Sequence, residues 1–181
     1  MKKLILLLSW LIISKSVNAQ NEINLKGLEK LARQVELTAQ IELANAYRKG
    51  IGATQDYKTA VKWFTLAAEQ GDAVSQYNLG IMHRFGLGVV PNYRPAIKWY
   101  TLSAEQGNAL AQYNLGRLYY LGKGVPENLV YAHLWAKQAS SNGFEMAAEL
   151  TDLLTELMTE NQIEKAKRLE KEYLIDQYKS C

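Results

Sequence analysis

Residues 111–143 read AQYNLGRLYYLGKGVPENLVYAHLWAKQASSNG, and this stretch decides the fold. It holds two segments with apolar residues at helical spacing, one over residues 109–121 and one after Asn128. Between them lie Gly122 and Gly124, and Gly122 suits the left-handed conformation just past a helix end. Asn128 suits the N-cap of the second helix, and Gly143 ends that helix. The stretch therefore predicts a helical hairpin.

The same stretch occurs three times with a period of 36 residues. Seven positions agree in all three copies without a gap. They are Gln40, Leu43, Gly50, Gly52, Ala60, Trp63 and Gly71, each repeated 36 and 72 residues later. One helix pair cannot bury its apolar face alone, so neighbouring pairs must stack. The sequence predicts an all-α, right-handed solenoid of helix-turn-helix repeats over residues 37–72, 73–108 and 109–143.

The second helix of each repeat carries one tryptophan among alanines at helical spacing, namely Trp63, Trp99 and Trp135. This spacing favours a core role over a ligand platform. We expect Trp99 to fill the gap between its own helix pair and the next. His83 takes a position that holds tyrosine in the other two repeats, which predicts a packing role. His133 has no periodic counterpart and is predicted to lie on the surface or in a groove.

Both flanks of the array have the pattern of capping helices. Residues 20–36 carry an apolar pattern that resembles the second helix of an incomplete leading repeat. Residues 144–181 predict two further helices, and Thr159 with Gln162 forms a capping-box pattern at the start of the last one. Terminal repeats need a polar outer surface to end a stack in water.

The first nineteen residues, MKKLILLLSWLIISKSVNA, have the pattern of a secretory signal peptide. A basic start is followed by an apolar run from Leu4 to Ile13, which is too short to span a bilayer. Small residues at Val17 and Ala19 predict cleavage after Ala19. An uncleaved anchor is the alternative. We expect an exported protein with no stable membrane insertion. The periplasm is the favoured location, and secretion from the cell is the alternative.

Charge and composition argue against several classes of partner and site, among them nucleic acids and metal ions. The chain has 21 Lys and Arg against 18 Asp and Glu. Three of the lysines lie in residues 1–19, so the remaining 18 bases balance the 18 acids and a nucleic-acid partner is not expected. The lone cysteine, Cys181, excludes an internal disulfide and leaves an intermolecular one open. With only His83 and His133 as imidazoles, no metal site and no cofactor are predicted.

Residues 111–143 and 75–107 resemble the Sel1-like repeat, a relative of the tetratricopeptide repeat. Residues 39–71 match more loosely, with Ala44 at the first glycine position and Ala53 where valine is usual. The resemblance covers three full repeats. It implies an α/α superhelix that holds other proteins, without identifying the partner or the oligomeric state.

In superhelices of this kind the first helices line the concave wall. With Leu115 facing the core, a rotation of 100° per residue places Tyr113, Arg117 and Tyr120 on the opposite side. With their equivalents, the predicted groove consists of Ile41, Asn45, Arg48, Tyr77, Ile81, Arg84, Tyr113, Arg117 and Tyr120. Arginines among aromatic residues predict a protein or peptide partner that carries acidic groups or a free C-terminus. An ordinary solvated helix face is the alternative for any one of these residues.

The sequence predicts no enzyme. The glycine pairs recur after helix ends, with no preceding strand and no following lysine-serine pair, which argues against a phosphate-binding loop. Cysteine-rich relatives of the family have been associated with β-lactam binding or hydrolysis, but this chain lacks their cysteine pairs and any Ser-x-x-Lys motif. The expected function is a non-enzymatic scaffold or adaptor in the bacterial cell envelope. A secreted effector that acts on host or rival cells is the main alternative.

Overall fold

The structure is a computed structural model that describes residues 25–179, with side chains to Tyr173. The predicted signal peptide and Cys181 lie outside these residues. The described chain is helical and contains no strand, which confirms the all-α class. Its helices are α1 (25–33), α2 (Leu37–Lys49), α3 (Tyr57–Glu69), α4 (Ala73–Phe85), α5 (Tyr93–Glu105), α6 (Ala109–Leu121), α7 (Leu129–Ser141), α8 (Met146–Leu157) and α9 (Glu160–Lys179).

The described helices divide into two compact units. Unit 1 contains α1 to α3 and the short loop 87–89, and unit 2 contains α4 to α9. In unit 1, Ala32 of α1 packs with Ala39 and Leu43 of α2. In unit 2, α4 pairs with α5 and α6 with α7, while α8 and α9 both pack on α7.

Side chains at the predicted caps fix the ends of the helices. Asp56, Asn92 and Asn128 each accept hydrogen bonds from main-chain N–H groups of the following turn, at 2.9, 3.0 and 3.1 Å. The glycine after each first helix is left-handed, as at Gly122, where φ is 61°. At the start of α9, the hydroxyl of Thr159 accepts from the N–H of Gln162 at 3.3 Å, which confirms the capping box.

The repeated glutamines are buried and paired within their own repeats. Gln70 donates to Gln40 at 2.7 Å in unit 1. In unit 2, Gln106 donates to Gln76 at 2.8 Å, and Asn142 donates to Gln112 at 2.9 Å. Buried amides are costly unless they are hydrogen-bonded, so these pairs explain why the glutamine recurs at a core position.

The expected core role of the tryptophans is wrong for two of the three repeats. The fully buried aromatic residue is the one after the tryptophan, Phe64 in unit 1 and Tyr100 in unit 2, whereas Trp63 and Trp99 are half-buried. One residue is a 100° rotation on a helix, so the next position points inward and the tryptophan lies at the edge. Trp135 is only 7% exposed because the ring of Tyr173 in α9 covers it at 5.5 Å.

A close approach to Tyr93 explains the second glycine of the loop in the third repeat. A Cβ atom on Gly124 would lie 2.5 Å from the Cβ of Tyr93, at the start of α5. Only glycine lets the loop pack this closely, and its φ of 81° favours glycine as well. This structural role agrees with the argument against a phosphate-binding loop.

Candidate binding surface

The first helices of unit 2, together with α8, expose one matching stripe of side chains. On α4 the stripe takes positions 74, 78, 81 and 85, a spacing that follows one side of a helix. We call the stripes on the three helices the first-helix face. Its residues are Val74, Asn78, Ile81, Phe85, Leu110, Asn114, Arg117, Leu121, Met146, Leu150, Leu153 and Leu157.

The first-helix face is unusually apolar for a solvent-exposed surface. Thirteen large apolar side chains are exposed in the described part of the chain, and seven of them lie on this face. Six of the seven form two rows at the helix ends, one starting at Val74 and one at Phe85. Side chains in these rows are 41 to 60% exposed. Exposed apolar patches of this kind mark interaction sites on folded proteins.

Polar groups lie between the two apolar rows. The Nη1 group of Arg84 donates to the Oδ1 atom of Asn114 at 2.7 Å, which joins α4 to α6. The guanidinium of Arg117 lies 5.8 Å from the centre of the Tyr113 ring. Neither guanidinium is paired with a carboxylate among the described residues. Both cations are therefore available to an acidic ligand.

The structure brings together only some of the groove residues predicted in unit 2. Ile81 and Arg117 lie on the first-helix face, and Arg84 reaches it through Asn114. All six side chains are half-buried, and the remaining three are engaged in aromatic or apolar packing. Tyr77 lies 6.0 Å from the ring of Tyr100, Tyr113 lies 4.8 Å from the ring of Phe144, and Tyr120 packs on the apolar cluster that contains Leu154 and Ala166.

The predicted groove residues of unit 1 form a local polar chain on α2. Asn45 donates to the main-chain carbonyl of Ile41 at 3.0 Å, and Arg48 donates to the side chain of Asn45 at 3.0 Å. All three residues are half-buried. The positions on α2 that match the first-helix face hold polar residues, for example Glu42 and Lys49. The apolar rows therefore have no counterpart on α2.

Burial shifts the titration of several groups near these helices. It raises the pKa of Tyr77, and the nearby Arg84 and Asn114 offset part of that rise. Burial also lowers the pKa of His83 and of His133. Both imidazoles are therefore neutral at pH 7, which leaves Arg84 and Arg117 as the cations of this surface.

A shift in helical phase explains what the sequence-based groove missed. The predicted groove lies directly opposite Leu115, whereas the exposed apolar side chains of α6 are Leu110 and Leu121. The centre of the first-helix face therefore lies about one residue, or 100° of rotation, from the predicted position. The 36-residue recurrence of apolar residues at 74, 110 and 146, and again at 85, 121 and 157, is the sequence signal that marks it.

Other kinds of site find no support in the described residues. Between residues 25 and 179, no group of three or more His, Cys, Asp or Glu side chains is placed to hold a metal ion. No helix in the described chain has both the length and the apolar character required to cross a bilayer.

Stacked helical hairpins joined by glycine-pair loops define an all-α solenoid of short repeats. The family model of the Sel1 repeat matches residues 37–72, 73–108 and 109–144, so the chain belongs to the Sel1 repeat family. Sel1 repeat proteins are generally scaffolds for protein interactions.

Two solved structures show the same fold. A Sel1 repeat protein from Oxalobacter formigenes is 35% identical, with a TM-score of 0.65 over 71% of this chain and 97% of that one. The antigen c5321, described as a protective antigen of uropathogenic Escherichia coli with an SLR fold, is 34% identical with a TM-score of 0.74. That match covers 83% of this chain but only 32% of the antigen's chain. No curated protein sequence matches significantly.

Proposed function

We propose that this protein is a non-enzymatic adaptor of the bacterial cell envelope that holds a partner polypeptide on the first-helix face. The observation that carries the proposal is the exposed apolar stripe repeated on α4, α6 and α8, beside which lie two arginines that pair with no carboxylate among the described residues. A repeated stripe of this kind suits an extended or helical segment that crosses several helices.

The apolar rows and the arginines of the first-helix face would bind different parts of such a partner. The apolar rows that start at Val74 and Phe85 would bury apolar side chains, which supplies most of the affinity. Arg84 and Arg117 would hold a side-chain or C-terminal carboxylate. The planar guanidinium binds a carboxylate through two parallel hydrogen bonds, which fixes the register of the partner.

A binding titration with short synthetic peptides tests this mechanism. The peptides alternate leucine with glutamate and end in either a free carboxylate or an amide, and fluorescence anisotropy follows binding at low salt. The variant Arg84→Ala/Arg117→Ala should bind the acidic peptides roughly tenfold or more weakly, because charge-assisted hydrogen bonds are lost. The matched control Arg94→Ala/Arg168→Ala removes the same charge from two exposed positions away from the face.

The apolar rows are tested in the same assay. Phe85→Ala/Leu121→Ala should weaken the binding of both peptide types, whereas Ile51→Ala/Val90→Ala removes exposed apolar groups elsewhere and should leave it unchanged. Equal binding by the parent and by both face variants at low salt would contradict a partner site on the first-helix face.

The envelope location rests on the pattern of residues 1–19. We expect the exported protein to begin at Gln20, and mass spectrometry of the periplasmic fraction measures this directly. Recovery from the culture medium would favour the alternative of a secreted effector. The likeness to an E. coli antigen is the observation that supports this alternative. The full-length mass in the envelope would contradict cleavage.

A further inference from the structure

Unit 1 contains an open cavity of about 470 Å³ next to the half-buried Trp63. Its walls come from α1, from the turn that follows α1, and from α2 and α3. Its lining residues are Ala32, Arg33, Val35, Gln40, Trp63, Leu66, Glu69 and Gln70. Val35 and Leu66 are exposed apolar side chains at its mouth. This cavity lies in a different unit from the first-helix face, and no sequence pattern marks it.

Unit 2 holds an equivalent of this cavity, 72 residues further along the chain. Trp135, Gln112 and Ala104 take the places of Trp63, Gln40 and Ala32. In unit 2 the space beside the tryptophan is filled by Tyr173 of α9. The ring of Tyr173 meets Trp135 edge-on at 5.5 Å, and its hydroxyl lies 3.5 Å from the carbonyl oxygen of Ala104.

The same hydrogen bonds build the frame of both sites. In unit 1, Gln40 donates to the carbonyl of Ala32 at 3.1 Å and accepts from Gln70 at 2.7 Å. In unit 2, Gln112 donates to the carbonyl of Ala104 at 2.9 Å and accepts from Asn142 at 2.9 Å. The hydrogen bonds match, whereas the mouths differ, since Leu66 of unit 1 takes the place of Gln138 in unit 2. One site contains a tyrosine and the other is open.

We propose that the cavity beside Trp63 is a docking site for a tyrosine side chain presented by a partner helix. The ring of that tyrosine would meet the edge of Trp63, a geometry that aromatic pairs favour. The tyrosine hydroxyl would donate to the carbonyl of Ala32, just as the hydroxyl of Tyr173 donates to the carbonyl of Ala104. The space is ample for a phenol ring, and the exposed Leu66 offers apolar surface to the helix that carries it.

The rim of the cavity carries charged side chains of both signs. Arg33 lies on the rim of the cavity, at the position that Glu105 holds in unit 2. Lys62 lines the space on the other side of Trp63, together with Arg33 and Glu29. Glu69 also lines the cavity, so an acidic and a basic side chain both flank the docking site and the contacts with Trp63 and Ala32 define the proposed ligand.

The helix α9 itself supplies a probe of known sequence. A synthetic peptide of residues 160–179 carries Tyr173, and matched peptides carry Tyr173→Phe or Tyr173→Ala. The peptides are titrated into the intact ¹⁵N-labelled protein, and the indole N–H signals of the tryptophans are followed by NMR. The internal α9 is tethered to unit 2, so the free peptide reports on the open site.

We expect the parent peptide to shift the Trp63 indole signal, with Tyr173→Ala binding roughly tenfold more weakly and Tyr173→Phe lying between them. Trp63→Ala should weaken binding to a similar extent, whereas the control Trp99→Ala should not. If Trp63→Ala does not fold, Leu66→Glu blocks the mouth of the cavity from an exposed position and should have the same effect.

Three results would overturn the proposal. They are no shift at Trp63 at any peptide concentration, equal binding of the tyrosine and alanine peptides, and equal binding to the parent and Leu66→Glu proteins. Self-association of the chain that Leu66→Glu abolishes in analytical ultracentrifugation would make a second copy the occupant, which also overturns a separate partner. None of these results bears on Arg84 or Arg117, so the first-helix face is tested independently.

Discussion

The ring of Tyr100 lies directly against the backbone of Gly80. A Cβ atom on Gly80 would stand 2.5 Å from two carbon atoms of that ring. Tyr100 is fully buried between α4 and α6, so the ring has no room to move away. Position 80 on α4 therefore requires glycine, because the Tyr100 ring of α5 occupies the space that a Cβ atom would need.

We predict that Gly80→Ala lowers the free energy of unfolding by about 1–2 kcal/mol. Overpacking a core costs about 1–3 kcal/mol, and the better helix propensity of alanine returns part of that. Gly27→Ala is the control, because Gly27 lies in α1 with open space around it. Chemical denaturation should show a gain for the control and a loss for Gly80→Ala. A gain for both would contradict the close contact.

The buried aromatic position should matter more for stability than the tryptophan beside it. Tyr100→Ala empties a fully buried site and should cost about 3–5 kcal/mol. Trp99 is half-buried, so Trp99→Ala should cost about 1–2 kcal/mol. Denaturation midpoints of the two variants compare them directly. A larger loss for Trp99→Ala would mean that Trp99 rather than Tyr100 fills the core.

The hydroxyl of Tyr100 is buried and makes no hydrogen bond of good geometry, although the guanidinium of Arg84 lies near it. Burial is the main cause of its raised pKa, and the nearby Arg84 offsets part of the rise. The unfolded chain loses the Tyr100 proton near pH 10 while the folded chain keeps it. Stability from this group is thus complete below pH 10 and falls as the pH rises.

We therefore predict that Tyr100→Phe is as stable as the parent at pH 7, or more stable. Between pH 10 and 11 the parent should lose about 1 kcal/mol more than the variant. Urea denaturation at a series of pH values measures both effects. Parallel curves for the two proteins would show that Tyr100 ionises in the folded state as readily as in the unfolded chain.

Val35 is the only non-glycine residue with a positive φ in the described chain, at 67°. It stands 36 residues before Gly71, where φ is 95°. A β-branched residue in this conformation is strained by about 1–3 kcal/mol. Val35→Gly should therefore raise the free energy of unfolding by about 1 kcal/mol, after the entropic cost of glycine.

Val90→Gly is the control for this substitution. Val90 is more exposed than Val35 and has no positive φ, so glycine there should lower stability slightly through the entropy of the unfolded chain. Thermal unfolding of both variants gives the comparison. Equal losses would show that Val35 is not strained.

Local signals in the sequence predicted most of the fold. Asn128 and Gly122 act over a few residues, so their cap roles follow from the chain alone, and the 36-residue period predicted the stacking. The Tyr173 contact with Trp135 joins residues outside that period, and no local pattern marks it. The helical period of a single repeat does not predict the phase of the binding surface, which is marked only by the 36-residue recurrence of apolar residues such as Val74 and Leu110.

The paired glutamines have a consequence for how such chains change length. Each buried amide finds its side-chain partner 30 residues later in the same repeat, as Gln112 does in Asn142. Gln40 and Gln112 also donate to the preceding helix, at Ala32 and Ala104. In both cases the acceptor is a main-chain carbonyl, so a residue of any type could supply it. A whole repeat can therefore be duplicated or deleted in one genetic step, and the paired glutamines keep their hydrogen-bond partners. Arrays built on this rule can therefore lengthen or shorten by whole repeats.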